Sequence, residues 1–142
     1  MKIQKVRDVK TPTRGTSKSA GLDFYIPNDY HTVELYPQTS ENVPSGIKVE
    51  IPEGYSLIAF NKSGLALQGL QVGAVVVDED YQGELHLHVT NIGFRSVMLE
   101  PGMKLVQFLL LPVLYEQVEL VEYFLKKESE RKEGGFGSTG KY

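Results

Sequence analysis

The sequence predicts an all-β protein, a jelly-roll-like distorted β-barrel with a flexible C-terminal arm, and three observations carry that prediction. Fourteen glycines and seven prolines break the 142 residues into short segments, roughly every eight to twelve positions, which is the rhythm of strands joined by turns. The intervening runs are rich in Val, Ile, Leu, Tyr and Phe, residues that suit a pleated, half-buried surface. From Glu84 to Thr90 the alternation is strict, with Leu85, Leu87 and Val89 on one face and Glu84, His86, His88 and Thr90 on the other.

Taken in order, Ile3 to Arg7 opens the chain as a strand, and the polar Lys10 to Ser19 stretch follows as a loop. Leu22 to Ile26 is an apolar run stopped by Pro27, and His31 to Tyr36 one stopped by Pro37. Gly46 to Ile51 and Tyr55 to Phe60 flank the Pro52-Glu53-Gly54 turn. Asn61 to Gly64 is a second loop, and Leu65 to Gly69 a short helical turn, the one helix candidate before the tail. Ala74 to Val77 and Glu84 to Thr90 are strands joined by the polar Asp78 to Gly83 loop. Ser96 to Leu99 and Lys104 to Tyr115 complete the set. The expected organisation is one barrel domain over 1–125 and an arm over 126–142, which begins with the mixed-charge run Lys126 to Glu133.

Composition narrows the functions available. Zero cysteines exclude disulfides and thiolate-bound zinc, and three histidines make a histidine metal site a poor expectation, so any metal is expected to be a hard ion held by oxygens. A net charge of −3 argues against binding a nucleic-acid backbone, whereas a free nucleotide needs only a few local cations. The chain carries no apolar run of membrane-spanning length and no leader pattern, so a cytoplasmic protein is expected, or one of the host cytoplasm if the source is viral.

Four places carry chemistry. The tail Gly134-Gly135-Phe136-Gly137-Ser138-Thr139-Gly140 cannot serve a core; its backbone N–H groups and hydroxyls suit phosphate oxygens, and its one ring offers a face for a base. The alternative is a plain disordered Gly/Ser tail. Asp78 sits at a strand end, where a carboxylate held rigidly in reach of water can act as a base; otherwise it is a turn aspartate. Lys62, Ser63 and Gly64 place a cation, a hydroxyl and an unencumbered N–H in succession, parts that bind phosphate or merely form an exposed turn. Tyr81, Gln107 and Asp23 have ordinary readings as a packed ring, a strand surface residue and a loop carboxylate.

Five segments shift those balances together: Ala20-Gly21-Leu22-Asp23; Lys62-Ser63-Gly64-Leu65-Ala66; Gly73 through Gly83 with Asp78-Glu79-Asp80-Tyr81; Gly102-Met103-Lys104-Leu105-Val106-Gln107; and Arg131 through Gly140. In order and spacing they resemble the five motifs of the trimeric deoxyuridine triphosphate nucleotidohydrolases (dUTPases). The resemblance implies a Mg²⁺-dependent enzyme that cleaves dUTP to dUMP and pyrophosphate, limiting uracil incorporation into DNA and supplying dUMP for thymidylate synthesis. It implies that Asp78 activates the attacking water, that Tyr81 lies under the deoxyribose, and that backbone groups of Gly73, Val76, Val77 and His86 read the base. Lys62, Ser63, Gly64 and Gln107 would bind phosphates, Asp23 would position the motif-two cation or a metal-bound water, and Mg²⁺ would be held mainly by the triphosphate. Arg131, Gly137, Ser138 and Thr139 would gather phosphates while Phe136 stacks on uracil. It also implies a homotrimer with sites shared between subunits, and neither nucleic acid nor membrane as a partner.

The chain departs from the pattern at Lys62 and Lys104, where arginine is usual and a bidentate fork is lost, at Asn61 in place of proline, and at Lys132 and Glu133 in the tail. His86 and His88 are unusual on the hairpin strand, His88 being read as a surface residue. Two alternatives stay open: the same chemistry on another pyrimidine deoxynucleotide, and a nucleotide-responsive regulatory protein on this fold.

Overall fold

The computed structural model describes residues 1–125 and 133–135, so the tail residues Arg131, Phe136, Gly137, Ser138 and Thr139 lie outside the described residues. In chain order the elements are β1 (Lys2–Lys5), β2 (Leu22–Tyr25), β3 (Val33–Leu35), β4 (Ser40–Glu50), β5 (Tyr55–Phe60), α1 (Ser63–Ala66), β6 (Leu70–Val72), β7 (Val76–Val77), β8 (Glu84–Asn91), β9 (Val97–Leu99) and β10 (Lys104–Pro112). One four-stranded sheet runs β1-β4-β8-β6, a second runs β2-β10-β5-β7, and β3 pairs with β9 in a two-stranded ribbon. Every strand pairing is antiparallel. The predicted all-β jelly roll is therefore the observed architecture, and no helix among the described residues is long and apolar enough to cross a membrane.

The core is the inward face of both sheets. The β8 alternation is realised as read, with Leu85, Leu87 and Val89 buried. From the other sheet come Phe24, Leu57, Val106 and Phe108, with Phe24 and Phe108 meeting edge to face at 4.7 Å. Each such side chain taken out of water contributes about 1.5–3 kcal/mol, which holds the two sheets together against the entropy of ordering them. The strands that carry the candidate site are thereby fixed from beneath.

Several element boundaries differ from the sequence expectation, and those around β4, β6 and β7 have a local reason. β4 begins at Ser40 rather than Gly46, because Pro44 and Gly46 lie in an irregularity between Pro44 and Lys48 instead of ending the strand. Gly46 takes φ +72° there, and its N–H donates to Glu84 Oε1 at 2.8 Å. β6 has three residues bounded by Gly69 and Gly73, too short to show a period. The segment after it crosses from one sheet to the other with Ala74 at φ +50°, so the next strand starts at Val76 rather than Ala74. Finally, α1 begins at Ser63, two residues before the predicted turn, and β10 stops at Pro112 rather than Tyr115.

Candidate active site

β10 lies between β2 and β5, and Gln107 on it is paired with Asp23 on one side and Phe60 on the other. Asn61 and Lys62 continue from β5, so register alone draws Asp23, Gln107 and Lys62 together. Lys62 Nζ donates to Asp23 Oδ1 at 2.5 Å and Lys104 Nζ to Oδ2 at 2.8 Å. Gln107 Nε2 donates to the Asn61 carbonyl at 2.7 Å, while Asn61 Oδ1 accepts from Val72 N–H at 2.7 Å. Gly21 makes room for Gln107: a Cβ there would overlap the Gln107 amide and force that side chain to move. Ser63 and Gly64 form the first turn of α1, whose hydrogen bonds begin at the Leu65 and Ala66 amides, and nothing crowds the place where a Gly64 side chain would stand.

Asp23 is a buried carboxylate among cations. Burial pushes its pKa up, but hydrogen bonds from Lys104 and Lys62, with their charges, outweigh that and hold it below the ordinary value. Because the folded carboxyl is the stronger acid, its contribution to stability is present above the ordinary carboxylate value of about 4 and is lost as pH falls through the lower folded value. Asp23→Asn is accordingly expected to be less stable than the wild type at neutral pH by about 1–2 kcal/mol, discounted for the partial exposure of both lysines, with the gap narrowing below about pH 4. Urea denaturation at pH 7 and pH 3 measures both; a gap independent of pH would contradict it.

A second group of residues sits on β7, β8 and the tight turn that joins them across the two sheets. The Val75 carbonyl accepts from Ala59 N–H at 2.7 Å and the Val77 carbonyl from Ser56 Oγ at 2.6 Å, which pins the strand that leads to Asp78. Val76 is exposed and Val77 faces Leu57 across the pairing. Tyr81 N–H donates to the Asp78 carbonyl at 3.2 Å, closing the turn. Of the three acids, Glu79 is anchored, accepting from Gly54 N–H at 2.7 Å and the Tyr115 hydroxyl at 2.9 Å. Asp78 is exposed, and among the described residues no hydrogen bond or ion pair occupies its carboxylate.

Tyr81 is laid down by its neighbours. Its hydroxyl donates to the Glu84 carbonyl at 3.0 Å, and its ring covers Gly83 so closely that a Cβ there would overlap the phenol. His86 Nδ1 meets the same carbonyl at 3.1 Å; a carbonyl only accepts, so Nδ1 is the donor of that contact. Gly73 N–H donates to the His88 carbonyl at 3.1 Å, and a Cβ at Gly73 would overlap the His88 ring. His88 is therefore not the plain surface residue expected: its Nδ1 is buried and has no hydrogen-bond partner among the described residues.

The structure thus gathers Asp23, Lys62, Ser63, Gly64 and Gln107 in one group and Gly73, Val76, Val77, Asp78, Tyr81 and His86 in another. The two groups approach each other at Asn61 and Val72, the neighbours of Lys62 and Gly73, but among the described residues no hydrogen bond links the first group to Asp78, Tyr81 or His86. Val77 pairs with Leu57 and the antiparallel chain carries Asp78 on toward Ser56, six residues before Lys62, which at about 3.3 Å per residue puts Asp78 and Lys62 on the order of 20 Å apart. Asn61 and Lys104, which no motif reading assigned a contact, turn out to hold the first group together. Asn61 carried no signal beyond its departure from proline.

The jelly roll thus holds paired cations on a buried carboxylate beside the first turn of α1 and, apart from them, an acid that no described residue engages. The chain belongs to the dUTPase family, whose family model matches residues 7–140. It is 37% identical over 142 residues to the deoxyuridine 5'-triphosphate nucleotidohydrolase of Hydrogenobaculum sp. (strain Y04AAS1), covering 97% of this chain and 96% of that one. It is equally 37% identical to the enzyme of the same name from Fusobacterium nucleatum, covering 99% and 97%. Among solved structures, a Staphylococcus bacteriophage 80alpha dUTPase with dUpNHpp superposes with a TM-score of 0.86 at 24% identity, over 98% of this chain and 97% of that one.

Proposed function

We propose that this protein hydrolyses dUTP to dUMP and pyrophosphate, in the cytoplasm, as a homotrimer in which the β7–β8 segment of one subunit completes the phosphate group of another. The observation that carries the reading of the chemistry is the contrast in the loop after β7: Glu79 is tied down by two donors while Asp78, one residue before it, has its backbone held in the turn and its carboxylate unengaged among the described residues. Asp78 orients a water and takes its proton as the water oxygen bonds to the α-phosphorus; the bond from that phosphorus to the bridging oxygen breaks, and pyrophosphate leaves. Lys62, Gln107 and the open amides at Ser63 and Gly64 hold the triphosphate so that this displacement is in line.

The β7–β8 segment supplies selectivity. Backbone groups of Gly73, Val76, Val77 and His86 face the base, and the Tyr81 ring, fixed on Gly83, packs against the deoxyribose where a 2′-hydroxyl would collide. Phe136 stacks on uracil, with Arg131, Gly137, Ser138 and Thr139 on the phosphates. Mg²⁺ would be held mainly by oxygens of the triphosphate; both Asp23 oxygens already accept from lysine ammoniums, so a water-mediated link from Asp23 to the ion would need one of those lysines to yield. When bound, Mg²⁺ would neutralise charge on the leaving pyrophosphate. The separation of Asp78 from Lys62 supports sharing between chains, because no lysine side chain spans it.

A substrate panel tests the reading. With Mg²⁺, release of pyrophosphate and monophosphate from dUTP is expected to exceed that from dCTP, dTTP and UTP by at least about a hundredfold in kcat/KM, the scale on which a site built to hydrogen-bond one group and exclude another discriminates. Preference for another of the four would replace dUTP as the substrate.

A further inference from the structure

Lys104 has no assigned part in the site, yet the fold goes out of its way to bring it there. In a regular strand, residues three apart point to opposite faces, so Lys104 and Gln107 should diverge. The pairing with β2 is irregular between them: Lys104 faces Tyr25 and Val106 faces the next residue, Phe24, so β10 carries one extra residue, Leu105. Leu105 and Val106 are consequently both buried, and Lys104 returns to the Gln107 side. There its ammonium takes Asp23 Oδ2, 5.9 Å from the centre of the Tyr25 ring.

The consequence is electrostatic. Asp23 divides its two oxygens between two lysines, so Lys62 holds only Oδ1 and the three groups together carry one surplus positive charge. We propose that Lys104 is a positioning residue of the phosphate site: by occupying Oδ2 and offsetting the charge of Asp23, it leaves the Lys62 ammonium able to transfer its attraction to an incoming polyphosphate. Without Lys104, the full carboxylate charge falls on Lys62, which is then held as a closed ion pair. The pKa directions agree: that of Asp23 is lowered and that of Lys104, through its hydrogen bond to Asp23, is raised, so both stay charged at neutral pH. This inference rests on the reading of the first group as the phosphate half of a dUTP site.

The test compares wild type with Lys104→Met, Lys104→Gln and Lys104→Arg in steady-state dUTP hydrolysis, and titrates each with a non-hydrolysable dUTP analogue by calorimetry. Lys104→Met and Lys104→Gln are expected to raise KM and the analogue Kd about tenfold with kcat within about threefold, as loss of a ground-state charge contact does. Lys104→Arg is expected to return both to within about threefold of wild type. KM and Kd unchanged in either neutral variant, or a fall in kcat alone, would overturn the proposal. The same holds if only the melting temperature moves. Should Lys104→Met fail to fold, the Lys104→Gln comparison decides alone. A wild-type protein that does not hydrolyse dUTP would instead refute the underlying reading.

Discussion

Asp78→Asn is expected to lower kcat for dUTP by a factor on the order of 10²–10⁴, the usual contribution of a positioned general base, while the Kd for a non-hydrolysable analogue stays within about threefold. The substitution keeps the shape of the side chain and removes only its ability to take a proton. Because the Asp78 carbonyl, not its carboxylate, closes the turn with Tyr81 N–H, that turn has no reason to open. Stopped-flow or single-turnover kinetics separates the chemical step from product release, and calorimetry reads binding. Turnover within tenfold of wild type would transfer the base role elsewhere, and Asp80, the other exposed acid of the turn, would be examined next.

Removing residues 131–142 is expected to reduce kcat/KM for dUTP by about a hundredfold or more, because the donors and the ring that would fix the substrate are lost. The fold should not notice. The buried core, from Val9 to Phe108 among the described residues, lies entirely upstream of the deletion, so melting temperature and far-ultraviolet circular dichroism are expected to match the full chain. Loss of the oligomer on size-exclusion chromatography, or a melting temperature lowered by more than about 5 °C, the change that corresponds to roughly 1–2 kcal/mol in a domain of this size, would make the tail a structural element first.

The fold class was legible because its signal is redundant. The β8 alternation, the Gly/Pro punctuation and the apolar runs all point the same way, and the two sheets bury the faces that the period assigns. What stayed hidden was whatever violates the period. The strand expected from Gly46 starts at Ser40, because Pro44 and Gly46 lie in the bulge of one long strand; the three residues of β6 are too few to show alternation. The candidate residues were legible as motifs, but their grouping was not. Sequence order cannot say that Gln107 lies opposite both Asp23 and Phe60, nor that an extra residue at Leu105 swings Lys104 to the same side. His88 was misread for a related reason: alternation put it on the outer face, and only the crossing at Gly73 covers it there.

The most direct test of a site divided between chains uses two inactive variants that damage different halves. Asp78→Asn and Lys62→Met are each purified, unfolded together in equal amounts and refolded as mixed oligomers. If Asp78 and Lys62 of one site come from different subunits, about a quarter of the sites in a random mixture combine two intact halves, and dUTP hydrolysis is expected to recover to that fraction of wild type. If both residues serve a site within one chain, no mixed oligomer contains an intact site. Activity no higher than the sum of the two variants refolded separately would then contradict the shared site.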